Sequence, residues 1–290
     1  MDWLSLSLLS ALSLASADAC SKKFLGQYSA PEMVLVRFAY SALLLAPLLY
    51  FNPLPAVPLA FWGWLALALP LEIIAMLLYM QAIRDAPLSL TMPYLAFTPV
   101  FTTLMGYLLL DEQVSVQGLI GIILAVGGAY LLNLEAVGRR GWRGGFKPLR
   151  AILSNRGSRM MLAVAIIYGV TSVIGKIELQ YAPPLSFAAL YFVLLGLLSL
   201  TLFALTKPRT LHVFGRKLLI HLLIAGLFTA MIVTHFMALE RVETAYMISV
   251  KRTSILFGVL YGALLFGEQN LLRHLAAGAL MVAGVALIAV

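Results

Sequence analysis

Lys251 and Arg252 stand side by side in the stretch ISVKRTSILF, which carries no other charge. Burying either cation at the centre of a membrane helix costs about 2.5–3.5 kcal/mol on insertion scales. Neighbouring residues project about 100° apart on a helix, so both cannot reach water along one lipid-facing stripe. Such a pair suits an anion, with arginine presenting a flat fork of donors and lysine a point charge. Glu72, in an apolar run, suits a counter-ion or proton carrier and equally a buried protonated carboxyl. His235 can exchange a proton near neutral pH or serve as a neutral hydrogen-bonded ring. Tyr94 and Tyr246, with Tyr79, Tyr168 and Tyr191, fit either a cavity wall or a lipid-interface belt. The substrate-binding candidates are therefore Lys251, Arg252, Glu72, His235, Tyr246 and Tyr94.

Lys22 and Lys176 close two apolar runs and suit either an interfacial anchor or a gate. Arg37 is expected near an interface or reaching inward to Glu72. Pro93 and Pro99 remove two backbone donors, which frees the carbonyls of Ser89 and Leu95 to line a polar cavity. Catalysis has less to stand on. The chain has four histidines, no H-E-x-x-H motif, no acidic metal-binding cluster and one cysteine, Cys20, so neither an enzyme nor a metal or other cofactor is expected.

These residues must be held by membrane helices. The sequence is 62% hydrophobic and 11% charged, with a mean hydropathy of +0.98, whereas soluble domains are about one-quarter charged. Apolar runs long enough to cross a bilayer follow one another at Leu4–Ala19, Met33–Phe51, Leu59–Ile83, Ser89–Leu110, Val116–Leu134, Met161–Leu179, Leu185–Thr206, Leu218–Leu239, Thr244–Phe266 and Leu271–Val290. Leu4–Leu14 followed by Ala17-Asp18-Ala19 has the outline of a signal peptide, but no positive residue precedes it, and an uncleaved helix is expected.

Displacing the second half by 156 residues lays TPVFTTLMGYLLLDEQ, ending at Gln113, over SILFGVLYGALLFGEQ, ending at Gln269. Phe101/Phe257, Gly106/Gly262, Glu112/Glu268, Gln113/Gln269 and Gly128/Gly284 are among the identical pairs. Gly258 and Gly262 form G-x-x-x-G, mirrored by Thr102 and Gly106, which is read as close helix packing. The expected architecture is an all-α membrane protein of ten helices in two five-helix repeats, residues 1–135 and 160–290, joined by a basic loop over 136–159. Five is odd, so the second repeat enters the membrane in the opposite sense, and the interface of such inverted repeats near the midplane holds the substrate in transporters.

Two five-helix halves, each with a fourth helix ending in G-x-x-x-x-(D/G)-E-Q and a fifth with a central glycine, resemble the EamA branch of the drug/metabolite transporter superfamily over essentially the whole chain. That resemblance implies a cofactor-free ten-helix transporter and leaves the substrate open among amino acids, sugars, nucleotide sugars, organic phosphates and drugs. The Val250-Lys251-Arg252 stretch is further similar to the ninth helix of plastid triose-phosphate translocators, where a Lys-Arg pair holds phosphate. Those carriers have another phosphate-binding lysine on the fourth helix, where this sequence has Leu95, so a carboxylate or monoanion is as well suited as a phosphate dianion. The expected function is secondary transport of a small, anionic organic metabolite by alternating access. A broad-specificity exporter of amphipathic compounds and a non-transporting assembly subunit are the alternatives.

Arg139, Arg140, Arg143, Lys147, Arg150, Arg156 and Arg159 fall between the fifth and sixth spans, and Lys207, Arg209, Arg216 and Lys217 between the seventh and eighth. Lys22, Lys23 and Arg84 fall on the same side. The positive-inside rule places these segments in the cytoplasm and both termini outside, whereas the family resemblance implies termini inside. Orientation and attraction to anionic lipid account for the charge, so the expected partners are a small-molecule substrate and membrane lipid, not nucleic acid. A multi-pass location in the cell membrane follows.

Overall fold

A computed structural model describes residues 1–85, 92–136, 156–266 and 274–289. Residues Arg139 to Arg150 of the basic segment, Ser89, and Glu268 and Gln269 of the repeat motif lie outside the described residues.

The described regular structure is helical. α1 spans Trp3–Leu25, α2 Ala30–Phe51 and α3 Leu59–Asp85. A 3-10 turn over Met92–Phe97 leads into α4, Thr98–Leu110, and α5 follows at Val116–Ala136. The second half has α6 at Arg156–Glu178, α7 at Pro184–Thr206, α8 at Leu218–Leu239, α9 at Thr244–Lys251, α10 at Ser254–Phe266 and α11 at His274–Ala289. Seven helices are long and apolar enough to cross a membrane, Thr244–Leu265 taken as one, and Tyr94–Leu110, Val116–Gly128 and Gly278–Ile288 are shorter apolar helices.

Local chemistry sets the ends. Asp2 caps α1 by accepting the Ser5 N–H at 2.8 Å. Ser29 and Glu32 form a capping box at α2, with Pro31 in its first turn, where no N–H is needed. At the end of α4, Asp111 adopts φ 56°, and the Glu112 N–H returns to the Gly106 carbonyl at 3.1 Å.

Two spans expected as continuous helices are broken. In the fourth, Pro93 and Pro99 shift the backbone into the 3-10 turn. The Leu95 carbonyl is not left free for a cavity, because the Thr98 hydroxyl donates to it at 2.6 Å. In the ninth, the helix stops at Lys251 and restarts at Ser254, and the Ile255 and Leu256 N–H groups bond back three residues to Arg252 and Thr253. No proline lies there. With the 156-residue displacement Thr98 falls on Ser254 and Leu110 on Phe266, so α4 and α10 have matching bounds.

The packing also maps onto itself when the halves are exchanged. α2 packs on its counterpart α7 and α5 on α11, while α1 on α8 is matched by α6 on α3, and α1 on α10 by α6 on α4. Glycines allow the closest approaches. A Cβ on Gly284 would stand 2.5 Å from the Gly121 carbonyl oxygen, and one on Gly196 2.9 Å from the Phe38 carbonyl oxygen. Gly258 has nothing within 4 Å of such a position, which corrects its expected packing role. Gly106 instead makes room for the Glu112 side chain, whose Oε2 a Cβ there would meet at 2.6 Å.

The two lysines at the ends of α1 and α6 do the same thing in each half. Lys22 donates to the Ile83 carbonyl at 3.2 Å, and Lys176 to those of Leu239, Glu240 and Val242 at 2.5, 3.1 and 3.0 Å. Each binds the carboxyl end of the third helix of its own half, where unpaired carbonyls favour a cation. Such bonds also define the faces. Arg241 reaches the Met1 carbonyl at 2.5 Å and Ser186 the Pro53 carbonyl at 3.5 Å on one face, while Lys217 reaches the Phe24 carbonyl at 3.1 Å on the other.

Candidate functional site

A cavity opens among α1, α2, α3, α6, α7, α8 and α9. Lys251 and Arg252 line it together, 8% and 4% exposed, because the break after Lys251 ends α9 at this depth. Lys251 donates to His235 Nδ1 at 3.2 Å. An ammonium only donates, so Nδ1 accepts and the ring proton sits on Nε2. The Nε of Arg252 is buried without a partner. Among the described residues neither cation forms an ion pair with a carboxylate.

Glu72 lines the same cavity from α3, as does Thr171 from α6. Glu72 lies within electrostatic range of Lys251 but short of an ion pair. Four of the six candidates, Lys251, Arg252, Glu72 and His235, are thus brought together from three places in the sequence. Tyr94 is buried in the apolar core and Tyr246 lies elsewhere. The Tyr246 hydroxyl accepts the Ser115 N–H at 2.9 Å and fills the space over Gly118, fastening α9 to the start of α5. Glu112 adds to that joint, its carboxylate accepting the Thr244 N–H at 3.1 Å and hydroxyl at 2.9 Å.

Arg37 does not reach inward to Glu72. It is 1% exposed and paired with Asp18 of α1 at 2.5 Å, and it donates to Ser21 at 3.1 Å. Tyr79 donates to the other Asp18 oxygen at 2.5 Å, and the guanidinium sits 5.1 Å from the Phe228 ring centroid. Arg37 and Tyr79 both line the cavity, and Arg37 keeps Nε and Nη1 unpartnered. The signal for this network was Asp18 itself. A first span drawn to Ala19 leaves Asp18 at a helix end, whereas α1 runs on to Leu25 and carries it inside. Aromatic rings complete the wall, with Tyr168, Tyr191, Phe192, Phe228 and Phe236 joining Tyr79.

Over 72 residues the chain is 35% identical to the probable 4-amino-4-deoxy-L-arabinose-phosphoundecaprenol flippase subunit ArnE of Enterobacter sp. (strain 638), covering 25% of this chain and 67% of that protein. A solved crystal structure superposes with a TM-score of 0.72 at 16% identity, covering 100% of this chain and 99% of that one, which supports the fold alone. The EamA-like transporter family matches residues 1–134 and 155–290. Every wall of the charged cavity falls within those two stretches, and the chain belongs to the EamA-like transporter family of multi-pass membrane proteins.

Proposed function

We propose that this transporter carries a small organic anion, bound by Lys251 and Arg252 and exposed alternately to the two faces by rocking of two inverted five-helix repeats. One observation carries the reading: two adjacent buried cations line a cavity, and among the described residues no carboxylate is bonded to either. Arg252 offers its unpartnered Nε, and His235 fixes Lys251 in place. Asp18 offsets Arg37, so the formal charge facing a ligand comes from Lys251, Arg252 and Glu72. That balance favours a monoanion or carboxylate, and no cation reaches the cavity from the Leu95 position that would complete a triose-phosphate-like site.

The exchange of contacts between halves and the matched bounds of α4 and α10 support ten spans in two inverted repeats, residues 1–135 and 160–290 about a basic connector. The aromatic wall favours a second reading, a broad-specificity exporter of amphipathic compounds. The relative is described as a probable flippase subunit for a phosphoundecaprenol-linked amino sugar, a lipid-linked phosphate that falls outside the first reading.

The test is the thermal shift of purified protein with a panel of carboxylates and phosphates. At least one anion should stabilise the wild type, and Lys251→Ala and Arg252→Ala should each weaken its binding about tenfold to a hundredfold, since a charged hydrogen bond contributes about 1.5–3 kcal/mol. An unresponsive wild type, or alanine variants that lose stability but keep affinity, would reject the anion clamp in favour of the broader exporter.

A further inference from the structure

Glu178 is the last residue of α6 and has no part in the anion clamp. It is 0% exposed, and neither carboxyl oxygen has a hydrogen-bond partner. Tyr168, Thr171 and Gly175 line the cavity from α6. Steps of three and four residues put Glu178 on that same stripe, about 10 Å beyond Thr171 toward the face that carries Met1.

Aromatic rings stand between the cavity and that face. Phe236 lies against Gly175 and stacks edge-on with Phe187 at 4.9 Å. Phe187 meets Phe61 at 6.1 Å and Tyr191 at 5.4 Å, and Tyr181, in the turn after α6, meets Phe61 at 6.4 Å. Phe61 and Phe187 lie within the first turns of α3 and α7, so the cluster runs from the cavity to that face.

We propose that Glu178 is a proton-binding site that couples opening of this face to pH. A carboxylate buried without a partner or counter-ion is too costly to remain charged, so Glu178 is the neutral acid while this face is closed. When this face opens, water reaches the carboxyl, the O–H bond breaks and one proton passes to water on that side. Closing reverses the step, and one proton is taken up each time. Higher pH on this face therefore favours the open form.

No surrounding titratable group bonds the Glu178 carboxyl. Lys176 is turned to the carbonyls of Leu239, Glu240 and Val242 and feels Glu112, Glu240 and Glu243. Tyr191 of α7 feels both Glu178 and Glu72. The other elements against α6 contribute Glu72 and Tyr79 of α3, Tyr94 before α4, Tyr107 of α4, and Lys251, Arg252 and Tyr246 around α9, while α8 brings His235.

The proposal rests on alternating access, but its readout needs no anion. Ala182, in the turn after α6, is 4% exposed. In a Cys20→Ser background, Ala182→Cys reports opening of this face when detergent-solubilised protein is treated with a methanethiosulfonate between pH 6 and 9. The thiol's own titration cancels when the same reporter is combined with Glu178→Gln. A linked proton shifts the opening equilibrium by up to about tenfold per pH unit, so the rate should rise at least about tenfold more between the pH limits with Glu178 intact than in Glu178→Gln. Should Glu178→Gln not fold, Glu178→Asp should keep the extra rise and Glu178→Leu should lose it. Equal ratios in either comparison overturn the proton site. If an anion from the panel still stabilises the wild type, equal ratios leave the anion reading standing and remove only this one.

Discussion

Asp18 and Arg37 neutralise each other inside the bundle, and that closeness makes each dangerous to remove alone. Asp18→Asn leaves a buried guanidinium uncompensated, and breaking such a pair by one partner costs about 3–5 kcal/mol. Thermal unfolding should show that loss, with Arg37→Met in the same chain recovering part of it; an unchanged midpoint would mean the pair contributes nothing. The clamp behaves differently, because Arg252→Lys keeps the charge and loses the fork, so anion affinity should return only partly relative to Arg252→Ala. Lys251, Arg252, Glu72 and His235 were legible in the sequence because polar groups in apolar runs are expensive enough to need a reason. Tyr94 and Tyr246 were not separable from core residues, since one tyrosine ring suits a cavity, a lipid belt or a joint equally. Asp18 was hidden by a span boundary drawn too early.

Helix positions read well from hydropathy, and breaks within helices did not. Pro93 and Pro99 announce a disturbance in the fourth span, but the ninth has no proline, and its interruption at Arg252–Thr253 shows only in the backbone. Glycine spacing misled at Gly258, and the closest approach to a neighbouring helix's backbone falls on Gly284, which that spacing did not single out. Gly284→Ala forces a Cβ onto the backbone of α5, which cannot step aside, and overpacking of this kind costs about 1–3 kcal/mol. Gly258→Ala meets nothing and should leave the unfolding temperature near wild type. Equal effects from the two would contradict the α5–α11 contact. Gly106→Leu should act through Glu112, displacing it from the start of α9, and Glu112→Gln should reproduce part of that loss in the same measurement.

Across the molecule the basic residues of the long connection between α7 and α8 and a group of acidic ones lie on opposite faces, though Lys176 and Arg241 share the Met1 face. Lys207, Arg209, Arg216 and Lys217 lie on the face opposite Met1, while Asp111, Glu112, Glu240 and Glu243 gather on its side. On the positive-inside argument a cysteine placed at Arg209 should resist an impermeant reagent applied to intact cells, and one at Glu240 should react. The reverse pattern would put both termini inside, as the family resemblance implies. The duplicated frame was visible in the sequence through TPVFTTLMGYLLLDEQ and its partner. The matched break in α4 and α10 adds something that repeat alone did not hold. The helix is interrupted at the same register twice, yet the cations occur once, at Lys251 and Arg252, with Leu95 at the equivalent place in the other half. Doubling the scaffold has therefore not doubled the stoichiometry. A calorimetric titration with any stabilising anion should saturate at one equivalent per chain, and a second equivalent would mean that the half without cations has a binding chemistry of its own.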